Sequence, residues 1–192
     1  FSEPQSASEE SEPSSLIVVA DTESRHLPPD EAFRRVRDAV LWGRSMGIKR
    51  FYKKTDSTLR GNIGPELAAL LEAGDGGPLV FAPAFPALGR TTEEGRQLVN
   101  GVPLEKTAFA RDRLNPITTC DVEEILRKGT NIAVRQTNPD GLSRVLRDAR
   151  GRRNDPVVIV VNGKSDADLA ETARRYSDEI PFARPPKDGL PL

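Results

Sequence analysis

Two short apolar runs, at residues 16–20 (LIVVA) and 157–161 (VVIVV), place the strongest constraint on how this chain can fold. A strand with one solvated face alternates apolar and polar residues, whereas a strand covered on both faces is apolar throughout. Segments with helical spacing follow both runs, so strands and helices alternate along the chain. The sequence therefore predicts an α/β fold, a layered domain with a mainly parallel sheet flanked by helices.

Other segments extend this pattern. Further strands are predicted at residues 48–52, 78–82 and 132–135, and the Asn100-Gly101 turn signal predicts a hairpin of short strands at 97–99 and 102–104. Helices are predicted from Pro29, from Ile63 to Leu71, over residues 121–128 with Asp121 as cap, over 140–149, and after Ser165.

The domain boundaries follow from composition. Residues 1–15 are rich in Ser, Glu and Pro, which predicts a flexible acidic loop or tail. Residues 16–180 are predicted to form the α/β domain, and we expect residues 181–192 to be an extended, proline-rich tail.

Composition excludes several functional classes. The formal charge is −1, with 28 basic and 29 acidic residues, which argues against a nucleic-acid partner. No apolar run approaches the roughly 18 residues of a membrane span and no signal peptide is visible, so no membrane partner is expected. Cys120 is the only cysteine, which favours a reducing, cytoplasmic location, and we expect it to be a buried structural thiol. With His26 the only histidine, no metal site is predicted, and we expect this side chain to lie in a solvated loop.

The decapeptide at residues 53–62 (KKTDSTLRGN) is the strongest candidate for a functional site. It lies between a predicted strand and a predicted helix, where ligands of parallel sheets bind and where free helix N–H groups favour an anion. Arg25 and Arg90 follow two other predicted strands, so with Arg60, Lys53 and Lys54 they should form one cationic pocket.

The chemistry of this pocket suits a small acid that carries hydroxyl groups. Guanidinium groups match carboxylate and phosphate geometry, while Asp56, Ser57 and Thr58 can bond to hydroxyls. Asp56 should stay ionised among these cations, where it could orient or deprotonate a hydroxyl. Taken alone, each arginine is better explained by pairing with a nearby carboxylate or by exposure to solvent, but the clustering of charged groups at residues 53–62 favours a site. Asp112 is explained adequately as a turn residue. No phosphate-binding glycine motif is present, so an ATP pocket would lie outside these residues.

Three motifs in one order resemble a known family. They are residues 22–25 (TESR), 52–62 (YKKTDSTLRGN) and 82–92 (APAFPALGRTT), and residues 100–104 (NGVPL), Thr107 and Asp112 continue the match. Over roughly residues 16–175, the chain resembles the amino-terminal, sugar-binding domain of the four-carbon acid sugar kinases.

The resemblance implies an ATP-dependent phosphotransferase that acts on threonate, erythronate or 3-oxo-tetronate. It also implies that ATP with Mg is bound mainly by a carboxyl-terminal nucleotide-binding domain, so that this chain itself holds no cofactor. The catalytic residue would be Asp56, and the possibility of a homo-oligomer stays open. The substrate-binding residues carried over from the motifs are Arg25, Lys54, Thr55, Asp56 and Ser57, and less firmly Arg60, Asn62 and Arg90.

Two parts of the family pattern are not found in these 192 residues. One is a first strand ending in an Asp-Asp-x-Thr-Gly-Ala motif, and the other is the nucleotide domain. We therefore expect a substrate lobe that does not phosphorylate anything by itself. The alternatives are a non-catalytic sugar-acid binding or sensor module and a scaffold without a ligand.

Overall fold

The computed structural model describes residues 17–74, 77–151 and 156–179. The predicted tails at residues 1–15 and 181–192 lie outside the described residues. The helices are α1 (Pro29–Ser45), α2 (Ile63–Ala73), α3 (Val122–Arg127), α4 (Leu142–Arg150) and α5 (Asp166–Glu179). The strands are β1 (Leu79–Phe81), β2 (Arg90–Glu93), β3 (Arg96–Val99), β4 (Val102–Pro103), β5 (Ala133–Thr137) and β6 (Val157–Val161).

A parallel three-stranded sheet of order β1-β6-β5 forms the centre of the fold. All five residues of β6 are buried, and they alternate between two apolar clusters. Val158 and Val160 pack with residues of α1, α2 and α3, whereas Val157, Ile159 and Val161 pack with residues of α4. Because both faces of the sheet are covered by helices, the α/β prediction is confirmed.

A separate antiparallel sheet, β2-β3-β4, carries the predicted hairpin. Its turn has positive φ at Asn100 and Gly101, which is the reason this residue pair is a hairpin signal. Strand β2 was not predicted from the sequence, because its residues (RTTE) are polar. Thr92 of β2 exchanges two main-chain hydrogen bonds of 2.9 Å with Gly163, just beyond β6. The antiparallel sheet is thereby attached to the carboxyl end of the parallel one.

The strands predicted at residues 16–20 and 48–52 are wrong. Residues 17–20 and 48–52 have no regular secondary structure, although residue 16 is not described. Ile17 is 83% exposed, Val19 is 90% exposed and Tyr52 is 92% exposed. An apolar run predicts burial, but a strand also needs a neighbouring strand whose main chain accepts and donates its hydrogen bonds, and neither segment is part of the two sheets among the described residues.

Helices α1 and α2 pack side by side, and residues 46–62 connect the carboxyl end of α1 to the amino end of α2. Ala32, Val36 and Val40 form the buried stripe of α1, and most of α2 is buried. Arg44, at the end of α1, donates to Ala73 O at the end of α2 over 2.9 Å, so the two helices run side by side in the same direction. Among the described residues, no helix is long and apolar enough to cross a membrane.

Candidate anion-binding site

Asp56 lies at the centre of the polar segment that precedes α2. Its Oδ2 accepts hydrogen bonds from Arg60 Nε at 2.7 Å and from Thr58 Oγ1 at 3.0 Å, and its Oδ1 accepts one from Thr58 N at 3.2 Å. Arg25 Nη2 lies 3.8 Å from the same Oδ2. The carboxylate therefore joins the segment at residues 53–62 to the loop that carries Arg25.

The electrostatic environment keeps Asp56 charged. Burial by itself raises the pKa of this carboxyl, but the hydrogen bonds from Arg60 and Thr58 outweigh it, so the pKa lies below its ordinary value of 3.8. A carboxylate with a lowered pKa is a weak proton acceptor at neutral pH and a good hydrogen-bond acceptor. The geometry thus favours orientation of a hydroxyl over its deprotonation.

Arg60 also pairs with a second carboxylate. Its Nη1 lies 3.1 Å from Asp112 Oδ2, while Asp112 Oδ1 accepts from the main-chain N–H groups of Leu114 (3.0 Å) and Asn115 (2.8 Å). These main-chain bonds, with Arg60 contributing less, lower the pKa of Asp112. Asp112 is therefore the turn residue that the sequence predicted and, in addition, a partner of the cationic cluster.

Phe109 contacts both Arg60 and Arg90. The Arg60 guanidinium carbon lies 5.2 Å from the centroid of the Phe109 ring, and the Arg90 guanidinium carbon lies 5.9 Å from it. An aromatic face attracts cations, so this one ring interacts favourably with both guanidinium groups. Arg90 Nη1 donates to Leu88 O, while its buried Nε has no hydrogen-bond partner among the described residues.

Of the other predicted site residues, some are exposed on the surface and one holds a neighbouring loop in place. Lys54 is exposed, and Thr55 and Ser57 are partly exposed on the same segment as Asp56. Asn62 Nδ2 donates to the carbonyl oxygens of Ser24 and Leu27, both at 2.8 Å. The Asn62 amide nitrogen therefore holds the Arg25 loop in place, which leaves only its carbonyl oxygen for a ligand.

Lys53 was predicted to line the cationic pocket, but its side chain lies elsewhere. Its ammonium group turns inward and lies 2.8 Å from Glu66 Oε2, and Glu66 is only 5% exposed. Glu66 was not identified from the sequence, because an acidic residue in the first turn of a helix is usually explained by the helix dipole alone. Gln97, also missed, is fully buried and donates from Nε2 to Ser57 O over 2.8 Å.

The main chain of the site has an unusual conformation. Leu59 is buried although its φ is 54°, in the left-handed region, and its N–H donates to Asp56 O over 2.9 Å. Gly61 has a φ of 91°, and a Cβ there would lie 2.9 Å from Arg25 Cγ and 3.1 Å from Arg25 O. A glycine is therefore needed for the two site loops to pack together. Left-handed non-glycine residues such as Leu59 are often found at functional sites.

Cys120 and His26 lie outside the cluster around Asp56. Cys120 is buried as predicted, and burial raises the pKa of its thiol despite a 3.2 Å contact with Arg96 Nε. His26 is exposed, as predicted, and its Nδ1 lies 2.8 Å from Asn115 Nδ2. Neither of two cavities near α1 and α2, of about 660 and 140 Å³, is lined by Asp56 or by its arginines.

By its fold and its site, the protein is an α/β domain that carries a cluster of arginines and carboxylates beside its parallel sheet. The family model described as "Sugar-binding N-terminal domain" matches residues 2–184. The chain therefore belongs to this sugar-binding family of amino-terminal domains.

Proteins named as sugar-acid kinases are among its relatives. The chain is 38% identical over 169 residues to the D-threonate kinase of Salmonella typhimurium, a match that covers 85% of this chain and 40% of the relative. It is 33% identical to the 3-oxo-tetronate kinase of Burkholderia multivorans, with coverage of 80% and 38%. The chain thus spans about two fifths of the length of these two curated relatives.

A solved structure has the same fold. A domain of unknown function from Bordetella bronchiseptica, crystallised as a domain-swapped dimer with bound citrate, superposes with a TM-score of 0.67. The two sequences are 34% identical, and the match covers 79% of this chain and 37% of that one.

Proposed function

We propose that this chain is the substrate-binding domain of an ATP-dependent kinase that phosphorylates a four-carbon sugar acid of the threonate, erythronate or 3-oxo-tetronate type. The observation that carries the proposal is the convergence of Arg25 and Arg60 on one ionised carboxylate, Asp56. Such a group of two cations and an acceptor matches a ligand that has both a carboxylate and hydroxyl groups. The names of the relatives support the same class of substrate.

Different residues would contact the carboxylate and the hydroxyl groups of the ligand. Arg25 and Lys54, both exposed, would hold the carboxylate of the acid. Thr55, Ser57 and Asp56 would contact its hydroxyls, and Asp56 would orient the accepting hydroxyl by accepting a hydrogen bond from it. Asp56 Oδ1 accepts a single hydrogen bond from the described residues, so it keeps acceptor capacity for this purpose.

Arg60 and Arg90 would act mainly through the field that they create. Arg60 is held by Asp56 and Asp112, and Arg90 is held against Phe109, so both guanidinium groups are fixed in place. A fixed positive field favours binding of an anion without a reorganisation cost. The ATP with Mg would be bound mainly by a carboxyl-terminal nucleotide-binding domain. When ATP is bound, its γ-phosphoryl group would pass to the substrate hydroxyl: the bond from the γ-phosphorus to the β–γ bridging oxygen would break to leave ADP, the P–O bond to the substrate would form, and the hydroxyl proton would be released to water.

Two further features belong to this proposal. The bound citrate of the Bordetella structure supports a small acid as ligand, and its domain-swapped dimer supports a homo-oligomer. A single cysteine in the sequence supports a cytoplasmic location.

The proposal is tested by calorimetric titration of the 192-residue chain with D-threonate, L-threonate, D-erythronate and inorganic phosphate. We expect saturable binding of one sugar acid and a dissociation constant at least about tenfold higher in Arg25→Ala, because a hydrogen bond to a charged group contributes about 1.5–3 kcal/mol. Arg37→Ala is the matched control, since Arg37 is likewise paired with an aspartate, Asp38, but lies on the solvent side of α1.

An unchanged affinity in Arg25→Ala, or silence of the wild-type chain toward all the sugar acids, would contradict the proposed site. In the complete two-domain protein, the acid that binds should also be phosphorylated by ATP. There Asp56→Asn should lower kcat/KM about tenfold or more.

A further inference from the structure

A buried carboxylate outside the ligand-facing cluster connects the two segments that carry Arg25 and Lys54. Glu66 lies in the first turn of α2 and is 5% exposed. Its Oε1 accepts a hydrogen bond of 2.5 Å from Ser24 Oγ, and its Oε2 lies 2.8 Å from Lys53 Nζ. Each oxygen of one carboxylate therefore holds a different segment.

The partners of Glu66 are direct chain neighbours of proposed ligand contacts. Ser24 precedes Arg25, and Lys53 precedes Lys54. Ser24 is buried and Lys53 is half-buried, whereas Arg25 and Lys54 are exposed. The two residues that contact Glu66 therefore face inward, and the cations next to them in the chain face outward.

The helix gives this arrangement a rigid base. α2 is fixed in the core by Leu67, Ala69 and Leu70, and the Glu66 main-chain N–H donates to Asn62 O over 3.0 Å. Asn62 in turn donates to the carbonyl oxygens on both sides of the Arg25 loop. A buried carboxylate is costly unless it is paired and hydrogen-bonded, and Glu66 is satisfied only when both segments are in place.

We propose that Glu66 is a positioning residue for sugar-acid binding, acting through Ser24 on Arg25 and through Lys53 on Lys54. This inference rests on the proposed function, but it assigns the role to a side chain that does not touch the ligand. The Glu66 carboxylate fixes the spacing of Arg25 and Lys54 before the ligand binds. The entropy lost in ordering the two segments is therefore lost on folding and not on binding.

The test is calorimetric titration with the sugar acid that the wild-type chain binds. Glu66→Gln keeps the size of the side chain but loses one acceptor oxygen, so we expect the dissociation constant to rise about tenfold while the circular dichroism spectrum stays the same. Glu72→Gln is the matched control, because Glu72 lies on the same helix and is exposed. Lys53→Arg keeps the cation and should retain most of the affinity.

A double variant separates positioning from a general structural effect. Because Glu66 acts partly through Arg25, Glu66→Gln should raise the dissociation constant by less in the Arg25→Ala background than in the wild type, since the effects of coupled residues are not additive. Fully multiplicative losses would overturn the proposal, as would wild-type affinity in Glu66→Gln. If Glu66→Gln fails to fold, Ser24→Ala is the deciding variant. We expect Ser24→Ala to bind the sugar acid several-fold more weakly than the wild type, and an unchanged affinity would overturn the proposal. A wild-type chain that binds no sugar acid would refute the proposed function itself, and this inference with it.

Discussion

At the scale of single residues, Asp56 determines how the site depends on pH. Its carboxylate accepts hydrogen bonds from Arg60 and from both the main chain and the side chain of Thr58. These bonds exist only while Asp56 is ionised, and for that reason its pKa in the folded state is lowered. Charge at this position therefore stabilises the local structure as well as any ligand.

The sign of the pH effect follows from this shift. A carboxyl whose pKa is lower in the folded than in the unfolded chain stabilises the fold above its ordinary value of 3.8, and this contribution is lost as the pH falls through the folded value. We expect the unfolding free energy of the wild-type chain to decrease below about pH 4. Asp56→Asn should have a lower unfolding free energy at pH 7 and a shallower decrease under acid.

Urea unfolding at pH 7, 5, 4 and 3 measures this difference. Asp38→Asn is the control, because Asp38 is an exposed carboxylate on α1. Parallel pH curves for the wild type and Asp56→Asn would show that the Asp56 contacts do not stabilise the ionised form.

At the scale of elements, α2 is the helix that positions the site, and its close contact with α3 explains a glycine in its first turn. A Cβ on Gly64 would lie 2.3 Å from Leu126 O and 3.3 Å from Lys128 O, both main-chain atoms. Main-chain atoms at the end of α3 cannot move away as a flexible side chain can. The absence of a side chain at residue 64 therefore sets the distance between the two helices.

Gly64→Ala should lower the unfolding free energy by about 1–3 kcal/mol, because the overpacking cost exceeds the gain of up to about 1 kcal/mol in helix propensity. Gly151→Ala, at the end of α4, serves as the comparison. A Cβ there would lie 3.4 Å from its nearest neighbour, so we expect no loss of stability. Chemical denaturation of both variants measures the difference, and equal stabilities would mean that α2 can shift without cost.

At the scale of the whole molecule, one buried amide connects the antiparallel sheet to the site. Gln97 of β3 donates to Ser57 O over 2.8 Å, and its Oε1 accepts a hydrogen bond of 2.7 Å from Thr92 Oγ1. Thr92 is itself bonded to Gly163, beyond the end of β6. The parallel sheet, the antiparallel sheet and the Asp56 segment are therefore joined at one place.

Gln97→Met should destabilise the whole domain in one transition. The substitution leaves two buried polar groups without a partner, each at a cost of about 1–3 kcal/mol. We expect the midpoint of denaturation to fall without a second transition, and hydrogen exchange at residues 53–62 to become faster. Thr91→Val, on the opposite face of β2, should change stability by about 0.5 kcal/mol or less. Two separate unfolding steps in Gln97→Met would show that the antiparallel sheet folds independently.

The sequence determined those features that depend on local pattern. The VVIVV run predicted β6, Asn100-Gly101 predicted the hairpin of β3 and β4, and Asp121 caps α3 as its residue type indicated, accepting from Glu124 N at 3.0 Å. Each signal lies within a few residues of the structure that it specifies. The Asp56 segment was recognisable for the same reason, since its charged and hydroxyl residues are contiguous.

Tertiary structure alone decided which partners these residues meet. The segments at residues 17–20 and 48–52 contain residues typical of strands, but neither is part of the two sheets among the described residues, and composition does not encode a neighbouring strand. In the same way, the contact of Glu66 with Ser24 spans 42 residues, and the pairing of Arg60 with Asp112 spans 52. Side chains so far apart are brought together by the packing of helices on the sheet, which no local pattern specifies.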